Sequence, residues 1–406
     1  MVILEKNFKY IDLFAGIGGF HYAMKKYSSK SECIMASEIN PEAANTYANN
    51  FKMKVDGDIK LIEPKQLGIY DVVCGGFPCQ PFSKGGSQKG FKDPRGTLFQ
   101  EIVRIISYQP KLEDRPKILI LENVRNLISH DNGDTWRTIR KYLQDAGYNI
   151  IEKPIVMGPK DVGIPQLRDR AIILGVRKDI YDGEIKLKLP RKKPNSTSIY
   201  TIIDTGLTKE EMKKYKISEH TEKVLDAWNS FYKGIDEKVI GFPIWSDEFG
   251  KDYNLSIYPE WKQQFVRKNR ELYERNKKFI DRWFENTKIR DWATATERKF
   301  EWNCGTDIKD VYEGLIQIRP SGVRIKRPTE APTLVAMNHR IIIGREKRYM
   351  TLREAARLQS FPDTYNFKGE NEATAFKQLG NAVNVNVINY VFKTFVKYLE
   401  DEINAK

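Results

Sequence analysis

The apolar positions of the first third come in short runs that stop at glycine. Phe8-Lys9-Tyr10-Ile11-Asp12-Leu13-Phe14 is followed at once by Ala15-Gly16-Ile17-Gly18-Gly19-Phe20, and His21 to Tyr27 then has helical spacing. A strand, a glycine turn and a helix form the opening unit of a doubly wound α/β sheet. The glycines let backbone approach a ligand, and the helix start offers unpaired N–H groups. Ile34 to Asn40 reads as the second strand, with Glu38 at its end suited to ribose hydroxyls or, as plainly, to water. Pro41 opens a helix. Asp56-Gly57-Asp58-Ile59 ends a short extended segment in which Asp58 could accept from an adenine amino group while Ile59 packs on the ring.

The next strand, Asp71 to Gly76, stops at two glycines and leads to Pro78-Cys79-Gln80-Pro81. The two prolines restrict the backbone on either side of Cys79, a framing that core filler does not need. Lys84 to Gly96 carries four glycines and four basic side chains, a composition suited to a phosphate-contacting loop. Thr97 to Ile106 has an apolar helical face. Lys117 to Val124 is apolar without alternation, the mark of a buried parallel strand, and ends in Glu122-Asn123. Ligands of open α/β sheets bind at the carboxyl ends of strands, so Glu122 and Cys79 are expected in one crevice. Thr135 to Ala146 is an amphipathic helix closed by Gly147, and a hairpin-like pair follows, Tyr148 to Val156 and Arg170 to Val176. Between them Gln166, Arg168 and Arg170 alternate with other residues, so on an extended segment all three would face one side and line a pocket.

The βα alternation stops near Lys178, and Arg191 to Ser198 reads as a linker. Six of the seven tryptophans fall between there and Cys304. Trp261 to Lys278 holds seven Lys or Arg against two Glu, interleaved with aromatics. That mixture suits a nucleic-acid surface, with Arg267, Lys268 and Arg270 as candidate contacts, or equally a helix with a basic outer side and an aromatic inner stripe. A short helix from Thr351 stops at Phe361-Pro362-Asp363, and a long amphipathic helix ending near Ile403 is expected to return to the first domain. The division predicted is 1–178 plus 350–406, and 179–349.

Composition narrows the partners. The chain has 406 residues, enough for two or three domains, and its net charge of +14 makes a polyanion a plausible partner. No run of eighteen apolar residues and no signal-like N-terminus is present, from which a cytoplasmic location is expected. Four cysteines without a Cys-x-x-Cys pair argue against a disulfide framework and a structural zinc site, so no metal is expected.

Taken in order, these segments resemble the motif set of the bacterial DNA (cytosine-5)-methyltransferase family. Asp12 to Phe20 is similar to the first motif, Glu38 and Asp58-Ile59 to the next two, Gly76-Phe77-Pro78-Cys79-Gln80-Pro81-Phe82-Ser83 to the nucleophile motif, Glu122-Asn123-Val124 and Gln166-x-Arg168-x-Arg170 to the base-contacting motifs, and Gly380-Asn381-Ala382-Val383 to the last. The resemblance implies a Rossmann-like, doubly wound, mostly parallel sheet of the class I S-adenosyl-L-methionine-dependent methyltransferase fold, with a smaller target-recognition domain. It implies methylation of carbon 5 of a cytosine flipped out of double-stranded DNA, S-adenosyl-L-homocysteine as product, a monomeric enzyme, and a cognate restriction endonuclease acting separately.

On that resemblance Cys79 would add to carbon 6, while Glu122 holds the amino group and ring nitrogen 3. Arg170 would contact the cytosine carbonyl, Arg168 would pair with Glu122 or a phosphate, and Asn123 would fix the nucleophile loop. Phe14, Gly16, Gly18, Glu38, Ile39, Asp58, Ile59, Pro78, Leu98 and Asn381 would line the donor site. Ser83, Arg95 and Gln166 would contact DNA. Ile39 stands where many relatives carry an aromatic. The alternatives are a transfer-RNA methylating relative, whose characteristic Cys-Phe-Thr is absent here, and a non-catalytic DNA-binding relative, expected to have lost Cys79 or Glu122. A nicotinamide-linked oxidoreductase has no need of Pro-Cys-Gln together with Glu-Asn-Val.

Overall fold

The computed structural model describes residues 2–78, 98–191, 197–236, 241–334 and 340–405. Two compact units emerge, one of residues 1–197, 333–336 and 355–406, the other of 198–332 and 337–354. The first opens with β1 (Lys9–Leu13), α1 (Gly19–Tyr27), β2 (Glu32–Ser37), α2 (Pro41–Phe51), β3 (Val72–Gly76), α3 (Leu98–Ile106), β4 (Ile118–Val124), α4 (Asp134–Asp145), β5 (Tyr148–Ile150), β6 (Ile155–Met157) and β7 (Arg170–Arg177). The second holds α5 (Lys209–Tyr215), α6 (Glu219–Gly234), β8 (Ile244–Trp245), α7 (Glu260–Arg275), α8 (Lys277–Thr287), α9 (Ile289–Trp292), β9 (Lys299–Asn303), β10 (Leu315–Arg319), β11 (Gly322–Lys326), β12 (Ile342–Ile343) and β13 (Arg348–Tyr349). The chain then runs through α10 (Leu352–Leu358) into α11 (Glu372–Asn381) and α12 (Val385–Asn404), which complete the first unit.

The sheet of the first unit is mixed. Its order is β2-β1-β3-β4-β7-β5, with β6 also on β7. The strands β2, β1, β3 and β4 pair in parallel, and β7 runs against β4, β5 and β6. The parallel strands read as unbroken apolar runs because helices cover both faces. On one face Ile11, Leu13, Val73, Leu119, Leu121 and Ile173 pack with Ile102, Ile105, Ile139 and Leu143 of α3 and α4. On the other, α12 lies with α1, its Phe392 ring 6.1 Å from Phe8 and 5.0 Å from Tyr27. Each such fully buried side chain contributes roughly 1.5–3 kcal/mol. The short extended segment expected to end in Asp56-Gly57-Asp58-Ile59 makes a single bridge, Ser37 to Asp56, and turns at Ile59–Leu61.

The boundary differs from the expected one at position 178. Residues 179–191 belong to the first unit because α12 holds them: Tyr181 donates to Glu402 (3.1 Å), the Lys186 N–H to Tyr398 (3.0 Å), and Tyr390 to the Pro190 carbonyl (2.7 Å).

In the second unit a six-stranded sheet, β13-β12-β10-β11-β9-β8, is backed by α6 and α8. Trp228 stacks on Phe300 at 4.8 Å and lies 5.3 Å from Trp283, and Tyr232 stacks on Trp302 at 3.6 Å. The concentration of tryptophan is therefore chiefly core, since three of these rings are buried and Trp261 alone among them is well exposed, at 60%. A wholly buried ion pair, Arg348 to Glu354 at 2.7 and 2.9 Å, anchors the β13 end, and the Thr351 N–H also donates to Glu354 (2.8 Å).

Candidate active site

The end of β1 carries the first part of the site. Phe14 takes φ 54° and Gly16 φ 54°, left-handed values that cost a non-glycine residue energy and mark a turn shaped by something other than propensity. A Cβ on Gly16 would meet nothing within 4 Å, so the residue faces open space. Glu38 at the end of β2 accepts the Gly16 N–H (2.8 Å) and the Asn40 N–H (2.8 Å), which fixes its carboxylate beside the turn. Gly16, Glu38 and Asn381 line one cleft, together with Asn40, Thr374, Lys377 and Gln378. A carboxylate, three amides and an open glycine wall suit a ligand with hydroxyl and amino groups.

Other expected donor contacts are placed differently. Gly18 (φ 87°) does not face the cleft, for a Cβ there would lie 2.1 Å from the Phe51 ring; its absence of side chain serves helix packing. Ile59 is buried in the sheet core, so its side chain is not free to cover a ring, whereas Ile39 is 72% exposed beside Glu38. Asp58 accepts the Lys60 N–H (3.0 Å), and Phe14 and Leu98 pack partly buried against the core that holds Ile59 and Phe77. Pro78, the last described residue before 98, is half-buried.

The second part sits where β3, β4 and β7 meet. Gly76 is in register with Glu122, and Glu122 is opposite Ile172 of β7, two residues after Arg170. Arg170 Nε lies 2.8 Å from Glu122 Oε1, with side chains 21% and 11% exposed. Arg168, expected on Glu122 or a phosphate, is buried and donates to the carbonyls of Ala382 (2.9 Å) and Leu334 (3.3 Å). Glu122, Arg168 and Arg170 line a second pocket with Met157, Val383 and Val387. Asn123, fully buried, donates to the Phe77 carbonyl (3.2 Å) and so ties the end of β4 to the chain just before Pro78. Gln166 is fully buried with neither amide atom hydrogen-bonded, and does not present itself to solvent as a DNA contact.

Cys79, Ser83 and Arg95 lie outside the described residues. The other three cysteines are poor nucleophiles: burial drives the Cys74 thiol well above its ordinary value, and pushes Cys33 and Cys304 up to about 12. No group of His, Cys, Asp or Glu among the described residues could hold a metal ion, and no described helix is long and apolar enough to cross a membrane. On α7, Arg270 is turned inward, its guanidinium 4.4 Å over the Tyr253 ring and donating to the Tyr253 carbonyl (3.2 Å); Arg267 is exposed and bonded to Gln263 (2.9 Å), and Lys268 lies 5.9 Å from the Phe242 ring. Among the cleft residues that sequence reading missed, Lys377 stands four residues before Asn381 and Thr374 seven before it on α11, so helical spacing carried back from Asn381 would have found them.

The model of the C-5 cytosine-specific DNA methylase family matches residues 8–397. Type II methyltransferase M.AluI of Cellulosimicrobium cellulans is 30% identical over 96% of this chain and 92% of its own. Type II methyltransferase M.HpaII of Haemophilus parainfluenzae is 32% identical over 98% of this chain and 91% of its own. Among solved structures, the Entamoeba histolytica methyltransferase EhMeth shares the fold, with TM-score 0.56 at 18% identity over 98% of this chain and 99% of that one. The strand-end carboxylates, the open glycine turn and this match along nearly the whole length agree, and the chain belongs to the C-5 cytosine-specific DNA methylase family as a DNA (cytosine-5)-methyltransferase akin to the type II modification enzymes.

Proposed function

We propose that this chain methylates carbon 5 of a cytosine everted from a short specific sequence in double-stranded DNA, with S-adenosyl-L-methionine in the cleft beside Gly16, Glu38 and Asn381 and the base beside Glu122 and Arg170. The observation that carries the reading is the Glu122 to Arg170 pair, 2.8 Å apart, at the carboxyl ends of β3 and β4. Gly76, the register partner of Glu122, precedes Cys79 by three residues, a length of chain that reaches at most ~11 Å.

Carbon 5 of cytosine is not nucleophilic, and a stacked base is out of reach, so eversion costs roughly a few kcal/mol. The Cys79 thiolate forms a bond to carbon 6, and the electron pair displaced into the ring leaves an enamine whose carbon 5 is nucleophilic. The Glu122 carboxyl accepts from the amino group and donates its proton to ring nitrogen 3, where that charge accumulates and which completes the neutral enamine, and Arg170 holds Glu122 and reaches the carbonyl. The bound donor supplies the methyl group. Loss of the carbon 5 proton then breaks the sulfur–carbon bond and frees Cys79. Asn123 positions the chain entering the nucleophile segment through the Phe77 carbonyl, and Arg168 positions β7 against residues 334 and 382. The enzyme acts as a cytoplasmic monomer, with a separate endonuclease recognising the same sequence.

Duplex oligonucleotides carrying 5-fluorocytosine, incubated with the chain and S-adenosyl-L-methionine, are expected to yield an adduct stable to denaturation, and Cys79→Ala to abolish it while retaining DNA binding. An adduct formed by Cys79→Ala, or none by the wild-type chain in any sequence context, refutes the reading. Transfer to transfer RNA in preference to duplex DNA would move the substrate.

A further inference from the structure

The two faces of the second unit's sheet differ in kind. Ile316, Ile318, Val323, Ile325, Phe300 and Trp302 form the side packed on α6 and α8. The opposite side places Arg324 between Gln317 and Glu301 in register, with Lys326 beside Asn303 and Arg319 across from Gly322. Arg324 Nη2 lies 3.0 Å from Glu301 Oε1, which also accepts from Asn303 Nδ2 at 2.9 Å. The Arg324 and Glu301 side chains are 27% and 28% exposed. Lys326 is half-buried, and desolvation first and Arg324 second push its ammonium pKa down.

A solvated outer face would be expected to mix signs and stay wet. Arg319, Arg324 and Lys326 share this stretch with Glu301, and Glu330 also acts on Lys326, so cations outnumber carboxylates on a partly dried surface, an arrangement that a bound anion relieves. The β10–β11 hairpin turns through Pro320 and Ser321, both exposed, and two strands about 4.8 Å apart fit a major groove about 12 Å wide. The aromatic pair Trp245 and Phe265, 5.9 Å apart, continues from the β8 edge of the sheet to the exposed Trp261. The basic helix α7 is the rival surface, but its Arg270 is already engaged with Tyr253.

We propose that the polar face of the β10–β11 hairpin is the base-reading surface for duplex DNA, and that Arg324, held at Nη2 by Glu301, reads a guanine through its two major-groove acceptors. This rests on the reading that DNA is the substrate. Glu301 holds the Arg324 guanidinium at Nη2 and Nε is buried, so the donors left to face a base are on the two Nη atoms, a pair that guanine O6 and N7 accept. Glu301 is then placed to accept from the amino group of a cytosine.

The test uses the full chain with duplexes carrying a randomised segment, selected by binding and sequenced, with bisulfite sequencing of the same pool after incubation with S-adenosyl-L-methionine. The wild type should select a motif containing a G·C pair at which Arg324→Ala loses discrimination by roughly tenfold to a hundredfold, other positions being kept. Arg324→Lys, which keeps charge and stem, should lose the same position and guards against a misfolded alanine variant. An unchanged motif in both variants overturns the proposal. So does uniform weakening of all duplexes with a shallower salt dependence, which marks a phosphate contact, or a wild type without sequence preference. Selective binding that Arg324 controls, without methyl transfer, would sink the reaction assigned above and leave this inference standing.

Discussion

The pair formed by Glu122 and Arg170 supports a quantitative prediction. The two groups are 2.8 Å apart and largely shielded. A charge-assisted hydrogen bond in such a place is worth ~1.5–3 kcal/mol, and a positioned acid contributes about a hundredfold or more in rate. Glu122→Gln should therefore lower the single-turnover rate by about a hundredfold, the equivalent of ~2.7 kcal/mol. Arg170→Ala, which leaves Glu122 without its orienting partner, should cost a similar amount. Because both act on one set of base atoms, the double variant should be little worse than either single one, a coupling of ~2 kcal/mol in a double-mutant cycle. Donor affinity should hold in all three, since Glu38 and Asn381 line a different cleft. The assay is transfer of a tritiated methyl group to duplex DNA under single-turnover conditions, with donor binding measured by calorimetry. Effects that add within ~0.5 kcal/mol, or a Glu122→Gln variant within threefold of wild type, would show that the pair is not the unit that stabilises charge on the ring.

Two glycines of one turn should both destabilise when replaced, to different degrees. Gly16→Ala enters open space and should cost ~1–2 kcal/mol of stability from its positive φ while weakening donor binding; Gly18→Ala meets Phe51 and should lower the melting temperature further, with the order checked by thermal unfolding. His21 donates or accepts at 2.7 Å with Tyr47 and stacks at 3.7 Å on Phe51, and burial depresses its pKa from 6.5 to about 3. The unfolded chain thus takes the proton first, so stability falls as pH drops through that window, by up to ~5 kcal/mol from this side chain; urea unfolding of His21→Gln should show a shallower acid slope, and an identical slope would exclude His21 as its source. Glu354→Ala strips the partner from buried Arg348 and should cost ~3–5 kcal/mol, whereas replacing both by apolar residues of similar volume should recover most of it, as read by denaturant unfolding of the full chain.

Local pattern carries the parts of the protein that depend on neighbours in sequence. The strand, glycine turn and helix around Phe14 to Tyr27, the unbroken apolar run that places Glu122 at a strand end, and the amphipathic α12 follow from residue spacing alone, because burial on two faces or one leaves its own periodicity. The roles of Gln166, Arg168 and Arg170 did not follow, for alternation governs side-chain direction only within a strand, and β7 begins at Arg170. Before that residue the backbone turns freely, which lets Arg168 reach the carbonyls of residues 334 and 382 while Arg170 takes Glu122. The tryptophans were similarly ambiguous: composition counts aromatic rings, and only packing tells Trp228, stacked on Phe300, from Trp261, open to solvent. The first boundary was misplaced for the same reason, since the bonds that hold residues 179–191 come from α12, some two hundred positions along the chain. The sequence by itself determined the elements and the carboxylates at their ends, through interactions local enough to leave a period. Tertiary structure alone decided which polar group meets which, because those partners are distant in sequence and are chosen by the shape that the packed core imposes.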